Sequence, residues 1–165
     1  MEDIRINLEN LNDKERKQFI ALIERANKPR NKVWKPKDSE IYGSVWGFGD
    51  VFSRTWDGMN DDEGYWLMGN CFRTREEAEF YKEKLLVTAE LQRFANEYNE
   101  EIDWENTLTK KWRIYYNFIE RKILFSDWFS SKFSDICFSS RELCEQAIET
   151  IGEDRIKKYY FGVEE

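Results

Sequence analysis

Apolar and polar positions along the chain change period several times, and the changes mark out elements. From Asn12 the period is helical. Phe19, Leu22, Ile23 and Ala26 recur at i, i+3, i+4 and i+7, the spacing of a helix that buries one face. Asn12 is a good N-cap, Glu15 three residues on completes a capping box, and Leu11 precedes the cap. Pro29 closes this helix near Asn27. Residues 28–37 then hold Lys28, Arg30, Lys32, Lys35 and Lys37 with no acid, together with both prolines, and read as an extended basic connector around Trp34 and Pro36.

Beyond the connector the pattern becomes that of short strands. Residues 41–46 and 51–56 flank Gly47, Phe48, Gly49 and Asp50, whose turn chemistry predicts a β-hairpin. An acidic loop over 57–64 and a short third strand over 65–68 follow, continued after Gly69 and Asn70 by Cys71 and Phe72. Thr74 caps a helix, with Glu77 completing the box. Its stripe of Ala78, Tyr81, Leu85, Thr88, Leu91 and Ala95 runs to about Tyr98. Residues 96–105 form an acidic linker whose carboxylates, at a helix C-terminus, oppose the macrodipole.

The same order then recurs. Residues 113–118 and 122–128 pair across Ile119, Glu120 and Arg121, and 133–138 form a third strand. Ser140 caps a helix with Leu143, Cys144, Ala147, Ile148 and Ile151 on one face, stopped by Gly152. Residues 154–161 read as a short helix followed by a strand or anchor at Tyr159, Tyr160 and Phe161. The motif Cys71, Phe72, Arg73, Thr74, Arg75, Glu76 returns as Cys137, Phe138, Ser139, Ser140, Arg141, Glu142. Ile41-Tyr42 matches Ile114-Tyr115, Phe52-Ser53 matches Phe125-Ser126, and Trp56 matches Trp128. The expected fold is therefore α+β: an N-terminal helix followed by two duplicated β-β-β-α units, antiparallel sheets with helices on one face. The segments are 1–32 for helix and connector, 33–100 for the first repeat and 101–165 for the second.

Composition narrows the chemistry. Aromatic residues make up 16% of the chain, so rings must supply much of the core. The net charge is −7, a sign that disfavours general phosphate-driven binding and suits a basic protein partner. There is no histidine, which removes the commonest general base and metal ligand. The three cysteines, Cys71, Cys137 and Cys144, show no paired or zinc-type spacing and read as reduced, buried thiols of a cytoplasmic protein. No apolar run reaches the ~20 residues of a membrane span. No phosphate-cradling glycine loop, dinucleotide fingerprint or nucleophile elbow appears, so neither an enzyme nor a cofactor or metal is expected.

Two stretches of unopposed acids remain as candidate partner contacts: Asp57, Asp61, Asp62 and Glu63, and Glu97, Glu100, Glu101 and Asp103. The spacing of the first does not match a calcium loop. Tyr42, Trp46, Phe52, Trp56, Tyr115, Phe118, Phe125 and Trp128 lie on expected strands, where rings fill a core or stack bases on an open face. Lys32, Trp34, Lys35 and Lys37 would assist such stacking.

The run Val33-Trp34-Lys35-Pro36-Lys37 leads into an aromatic hairpin. With the stretch from Gly69 to Glu79 and the ending Ile151 to Gly162, it resembles small accessory proteins of phages and prophages of low-GC Gram-positive bacteria. The resemblance implies a mobile-element protein acting in the host cytoplasm and carries no functional residues over. Charge, missing catalytic groups and resemblance together lead to one expectation. It is a non-enzymatic binder that inhibits a host protein, such as a defence nuclease, in the manner of anti-CRISPR counter-defence. The alternatives are single-stranded nucleic-acid binding through an aromatic sheet face and sequestration of a small nucleotide between the repeats.

Overall fold

The computed structural model describes residues 11–27, 33–47, 49–132 and 135–163. Lys28, Pro29, Arg30, Lys32, Phe48 and Phe133 lie outside these, as does the side chain of Ala26. Among the described residues the structure is mixed α+β, with five helices and two small antiparallel two-stranded sheets. The chain divides into two compact units, Met1–Lys35 and Pro36–Glu165.

In the first unit α1 spans Asp13–Asn27. Its start is held reciprocally: Glu15 N–H donates to Asn12 Oδ1 at 3.0 Å, and Asn12 N–H donates to Glu15 Oε2 at 2.9 Å. The predicted buried stripe is not buried. Leu22 and Ile23 are exposed and Phe19 is only half-covered; α1 is the one element among the described residues of its unit, and a single helix has no second layer within that unit against which to bury a face.

The second unit runs β1 (Ile41–Val45), β2 (Val51–Thr55), α2 (Asn60–Leu67) and α3 (Arg75–Tyr98). It continues through β3 (Lys111–Asn117), β4 (Lys122–Trp128), α4 (Arg141–Ile151), α5 (Glu153–Arg155) and a π-helical turn at Ile156–Tyr160. β1 pairs with β2 and β3 with β4, in two separate sheets.

Three expectations are corrected here. The strand expected over 65–68 does not form: Tyr65, Trp66 and Leu67 are the end of α2, and Met68 is its C-cap. Asp61, Asp62 and Glu63 fall in its first turn, where carboxylates complement the macrodipole. Neither third strand forms among the described residues. Each is reduced to one bridging residue, Phe72 opposite Gly43 and Phe138 opposite Trp112. In the first half Gly69, at φ +71°, turns the chain away, and the Asn70 side chain takes the place a strand would fill. It accepts from Val45 N–H at 2.9 Å and donates to Val45 C=O at 2.7 Å. Finally, Tyr159 and Tyr160 lie in the π-helical turn rather than a strand, and Phe161 N–H closes that turn on Ile156 C=O at 3.1 Å.

Both helix starts that follow the bridges are capped by the residues read from sequence. Thr74 Oγ1 accepts from Glu77 N–H and Ser140 Oγ accepts from Leu143 N–H, each at 3.2 Å. α3 is the common support. Its first half packs on the first hairpin. Farther along, Val87, Leu91 and Ala95 join Ile114, Ile123, Phe138, Cys144, Ala147, Ile151 and Ile156 in the main core. Arg155 fastens the C-terminal turn to the same helix, donating to both Glu90 oxygens at 2.8 and 3.3 Å.

The first hairpin is held between two helices. Gly43 and Val51 face α3, while Tyr42 and Ser44 turn to the opposite side, where α2 supplies Asp62. At Gly43 a β-carbon would sit 2.8 Å from the Thr74 carbonyl oxygen and 3.1 Å from Ala78 Cβ. Gly43→Ala is therefore expected to lower stability by about 1–3 kcal/mol. Gly47→Ala, with nothing within 4 Å of the new methyl, should change it by less than ~0.5 kcal/mol. Urea denaturation of the two variants checks the contrast.

Candidate protein-binding surface

The loop after β2 is organised by a carboxylate that solvent does not reach. Asp62 is 3% exposed. Tyr42 Oη donates to its Oδ1 at 2.6 Å, and the Asp57 and Gly58 amides donate to its Oδ2 at 2.7 and 3.2 Å. Tyr42 is itself buried and packs edge-on against Trp56 at 5.9 Å. Burial opposes ionisation of Asp62, but the hydrogen bonds from Tyr42, Asp57 and Gly58 outweigh it and hold the carboxyl below its ordinary value. Burial and the adjoining carboxylate push the Tyr42 phenol far up.

Of the acids read as partner contacts, the first group is thus divided. Asp62 serves the fold and has no free oxygen to offer a partner. Asp57 and Asp61 are exposed, with the Asp57 carboxylate also accepting from Met59 N–H at 2.8 Å. Glu63 is half-buried and engaged within the chain. In the second group Glu97, Glu100, Glu101 and Asp103 are all exposed, and none has an ion-pair partner among the described residues.

The linker that carries them is nonetheless fastened. Asn99 donates to Cys137 C=O and accepts from Ser139 N–H, both at 2.9 Å, repeating what Asn70 does at Val45. Glu100 N–H donates to Ser139 Oγ, and Asp103 Oδ1 accepts from the amides of Glu105 and Asn106. Trp104, 38% exposed, lies beside them under the Lys132 ammonium. From sequence Asn70 reads, with Gly69, as a turn or bulge, and Asn99 carries no assigned role. Asn70 immediately precedes Cys71-Phe72, whereas the only signal of Asn99 is its position at the end of α3, 38 residues before Cys137.

The aromatic residues separate by burial. Tyr42 and Trp56 are core, and Phe125 and Tyr115 are half-covered. Trp46, Phe52, Phe118 and Trp128 are exposed. Trp128 is stacked under Arg113, which also donates to Ser126 Oγ and pairs with Asp135. Trp46 and Phe52 meet edge-on at 5.8 Å beside an apolar groove of about 520 Å³ rimmed by Met68, Leu85 and Leu86. Of the residues named as nucleic-acid contacts, Lys35 and Lys37 are exposed and Trp34 is half-buried. Lys32 lies outside the described residues.

The thiols sit in surroundings that keep them protonated. Burial, aided by the Asp62 charge, pushes Cys71 up to about 11, and burial pushes Cys144 up to about 12. Burial and Asp135 raise Cys137. A neutral thiol is a poor nucleophile and a poor metal ligand. Among the described residues no group of three or more Cys, Asp and Glu is placed to hold a metal ion, and no helix is long and apolar enough to cross a membrane. No protein-family model, curated protein or solved structure matches this chain.

Asp62 gives the surface a pH signature. Its folded pKa lies below the ordinary carboxylate value of about 4, so the unfolded chain takes up the proton first as pH falls. Its stabilisation is complete above about pH 4 and is lost as pH drops through the lower folded value. Asp62→Asn should cost about 1–3 kcal/mol at neutral pH by setting an amide NH2 against the donors of Asp57, Gly58 or Tyr42. It should also remove that share of the acid dependence. Urea denaturation midpoints measured from pH 3 to pH 7 test both effects.

Proposed function

We infer that this is a non-enzymatic binding protein that inhibits a host protein, with a defence nuclease as the working target, in the manner of anti-CRISPR counter-defence. The observation that carries the reading is the exposed base-free segment at Glu97, Glu100, Glu101 and Asp103, whose side chains are exposed and make no ion pair among the described residues. It belongs to a unit with seventeen basic against twenty-seven acidic residues, while the first unit carries nine against six. A fastened, like-charged surface suits a basic partner, because its shape is preorganised and its field steers encounter. Asp57 and Asp61 would extend the contact, and Asp62 would act by holding their loop.

In this reading the protein belongs to a mobile element, works in the host cytoplasm and needs no cofactor. The two halves of residues 36–165 are copies of one β-β-β-α unit whose third strand has shrunk to Phe72 and Phe138. The paired bridges and the Thr74 and Ser140 caps support that descent.

A titration separates a binder from an enzyme. Added to a purified CRISPR nuclease in a DNA-cleavage assay, the protein should inhibit with an endpoint near one molecule per effector. Inactivation by far fewer molecules, or no inhibition across the effectors of low-GC Gram-positive hosts, would count against the reading. Glu100→Lys with Glu101→Lys should weaken inhibition at least about tenfold while leaving the melting temperature unchanged, since both side chains are exposed. Unchanged inhibition by the double variant would remove this segment from the interface.

A further inference from the structure

The free edge of β4 lies beside a groove with the features of a peptide site. Trp112 N–H and C=O are both bonded to Phe138, at 2.8 Å each, so they point away from β4. In an antiparallel ladder narrow and wide pairs alternate. The pairs that exchange hydrogen bonds are therefore Arg113 with Ser126 and Tyr115 with Leu124, and Ile123, Phe125 and Asp127 direct their N–H and C=O groups outward. No backbone partner for those groups occurs among the described residues.

Between this strand and α4 runs a groove of about 360 Å³ lined by Ile123, Phe125, Ile148, Glu145, Glu149 and Glu153. Its floor is apolar and its wall is acidic. Glu145 pairs with Arg141 at 3.0 Å and Glu153 with Lys157 at 3.1 Å. Glu149 is exposed and has no ion pair among the described residues.

We propose that this groove takes an extended basic segment of the partner protein, added to β4 as a third strand. Main-chain groups of the segment pair with Ile123, Phe125 and Asp127. On an added strand the residue opposite Phe125 shares its face and points into the groove. A lysine or arginine there lays its aliphatic stem on Ile148, beside Phe125 and the Arg141 guanidinium that lies over its ring and pairs with Glu145, and carries its charge to Glu149. Charge complementarity selects this occupant over an acidic strand, which would meet Glu149, the wall carboxylate without an ion pair among the described residues. The proposal rests on the protein-binding reading but not on the 57–63 or 97–105 segments.

The probe is the capped peptide Thr-Lys-Val-Lys-Val-Lys-Thr, titrated at low salt into the 15N-labelled full chain. Expected are a Kd that rises with salt and slowed amide exchange at Ile123, Phe125 and Asp127, while Leu124 and Ser126, already in the ladder, stay unchanged. The same peptide N-methylated at alternate amides should lose binding, and Glu149→Lys should weaken it at least tenfold with no change in melting temperature. Unaltered exchange at the three outward amides, equal binding of the N-methylated peptide, or full binding by Glu149→Lys overturns the proposal. So does protection of those amides that grows with protein concentration alone, which would assign the edge to a second copy. Resonance shifts confined to 97–105 overturn the groove and leave the protein-binding reading standing. Edge protection without nuclease inhibition supports the groove and removes the nuclease.

Discussion

A two-stranded ribbon buries too little apolar surface to be stable in water by itself, and this chain contains two such ribbons that never join. Each depends on α3, which at 24 residues is long enough to serve both. The dependence is tightest at Gly43, where the strand backbone lies against the Thr74 carbonyl and Ala78. Only a residue without a side chain permits that approach. From the same helix Val87, Leu91 and Ala95 reach the second hairpin's core, and Glu90 holds Arg155 of the C-terminal turn.

With the third strand of each half reduced to one residue, side chains do what strands do elsewhere. Asn70 satisfies both main-chain groups of Val45, and Asn99 pairs with Cys137 and Ser139. An asparagine amide presents a donor and an acceptor side by side, so it can imitate one peptide unit of a strand. Polar residues inside the fold serve similar ends. Asp62 gathers Tyr42 and two loop amides, and the buried Lys111 ammonium donates to the carbonyls of Asn106 and Phe129. Loops at the end of each hairpin are therefore tied down by single buried charges, which keeps the neighbouring exposed acids in defined positions.

Under the function proposed above, that arrangement serves binding. The thiols are raised out of the reactive range by burial, and the exposed carboxylates lie on fastened linkers rather than in an enclosed, desolvated site. What the second unit offers is charge, exposed rings beside an apolar groove, and next to the acids of α4 a strand edge with no backbone partner among the described residues. Each is a means of recognising a polypeptide.

Local chemistry alone determined much of this. The caps at Asn12, Thr74 and Ser140, the stop at Gly152 and both hairpins follow from residue types at fixed offsets, which act over one turn of chain whatever surrounds them. Other features needed the tertiary structure. Whether residues 65–68 extend or coil depended on the first turn of α2 receiving Asp62 under Tyr42, a contact across 20 residues of chain. The short apolar run Tyr65, Trp66, Leu67 and Met68 fits either period. Among four neighbouring acids, only packing separated buried Asp62 from exposed Asp57 and Asp61, because composition cannot distinguish a carboxylate that accepts three hydrogen bonds from one in water. The free edge of β4 was likewise invisible in sequence, since which strand faces outward is decided by pairing with Phe138, a residue distant in the chain.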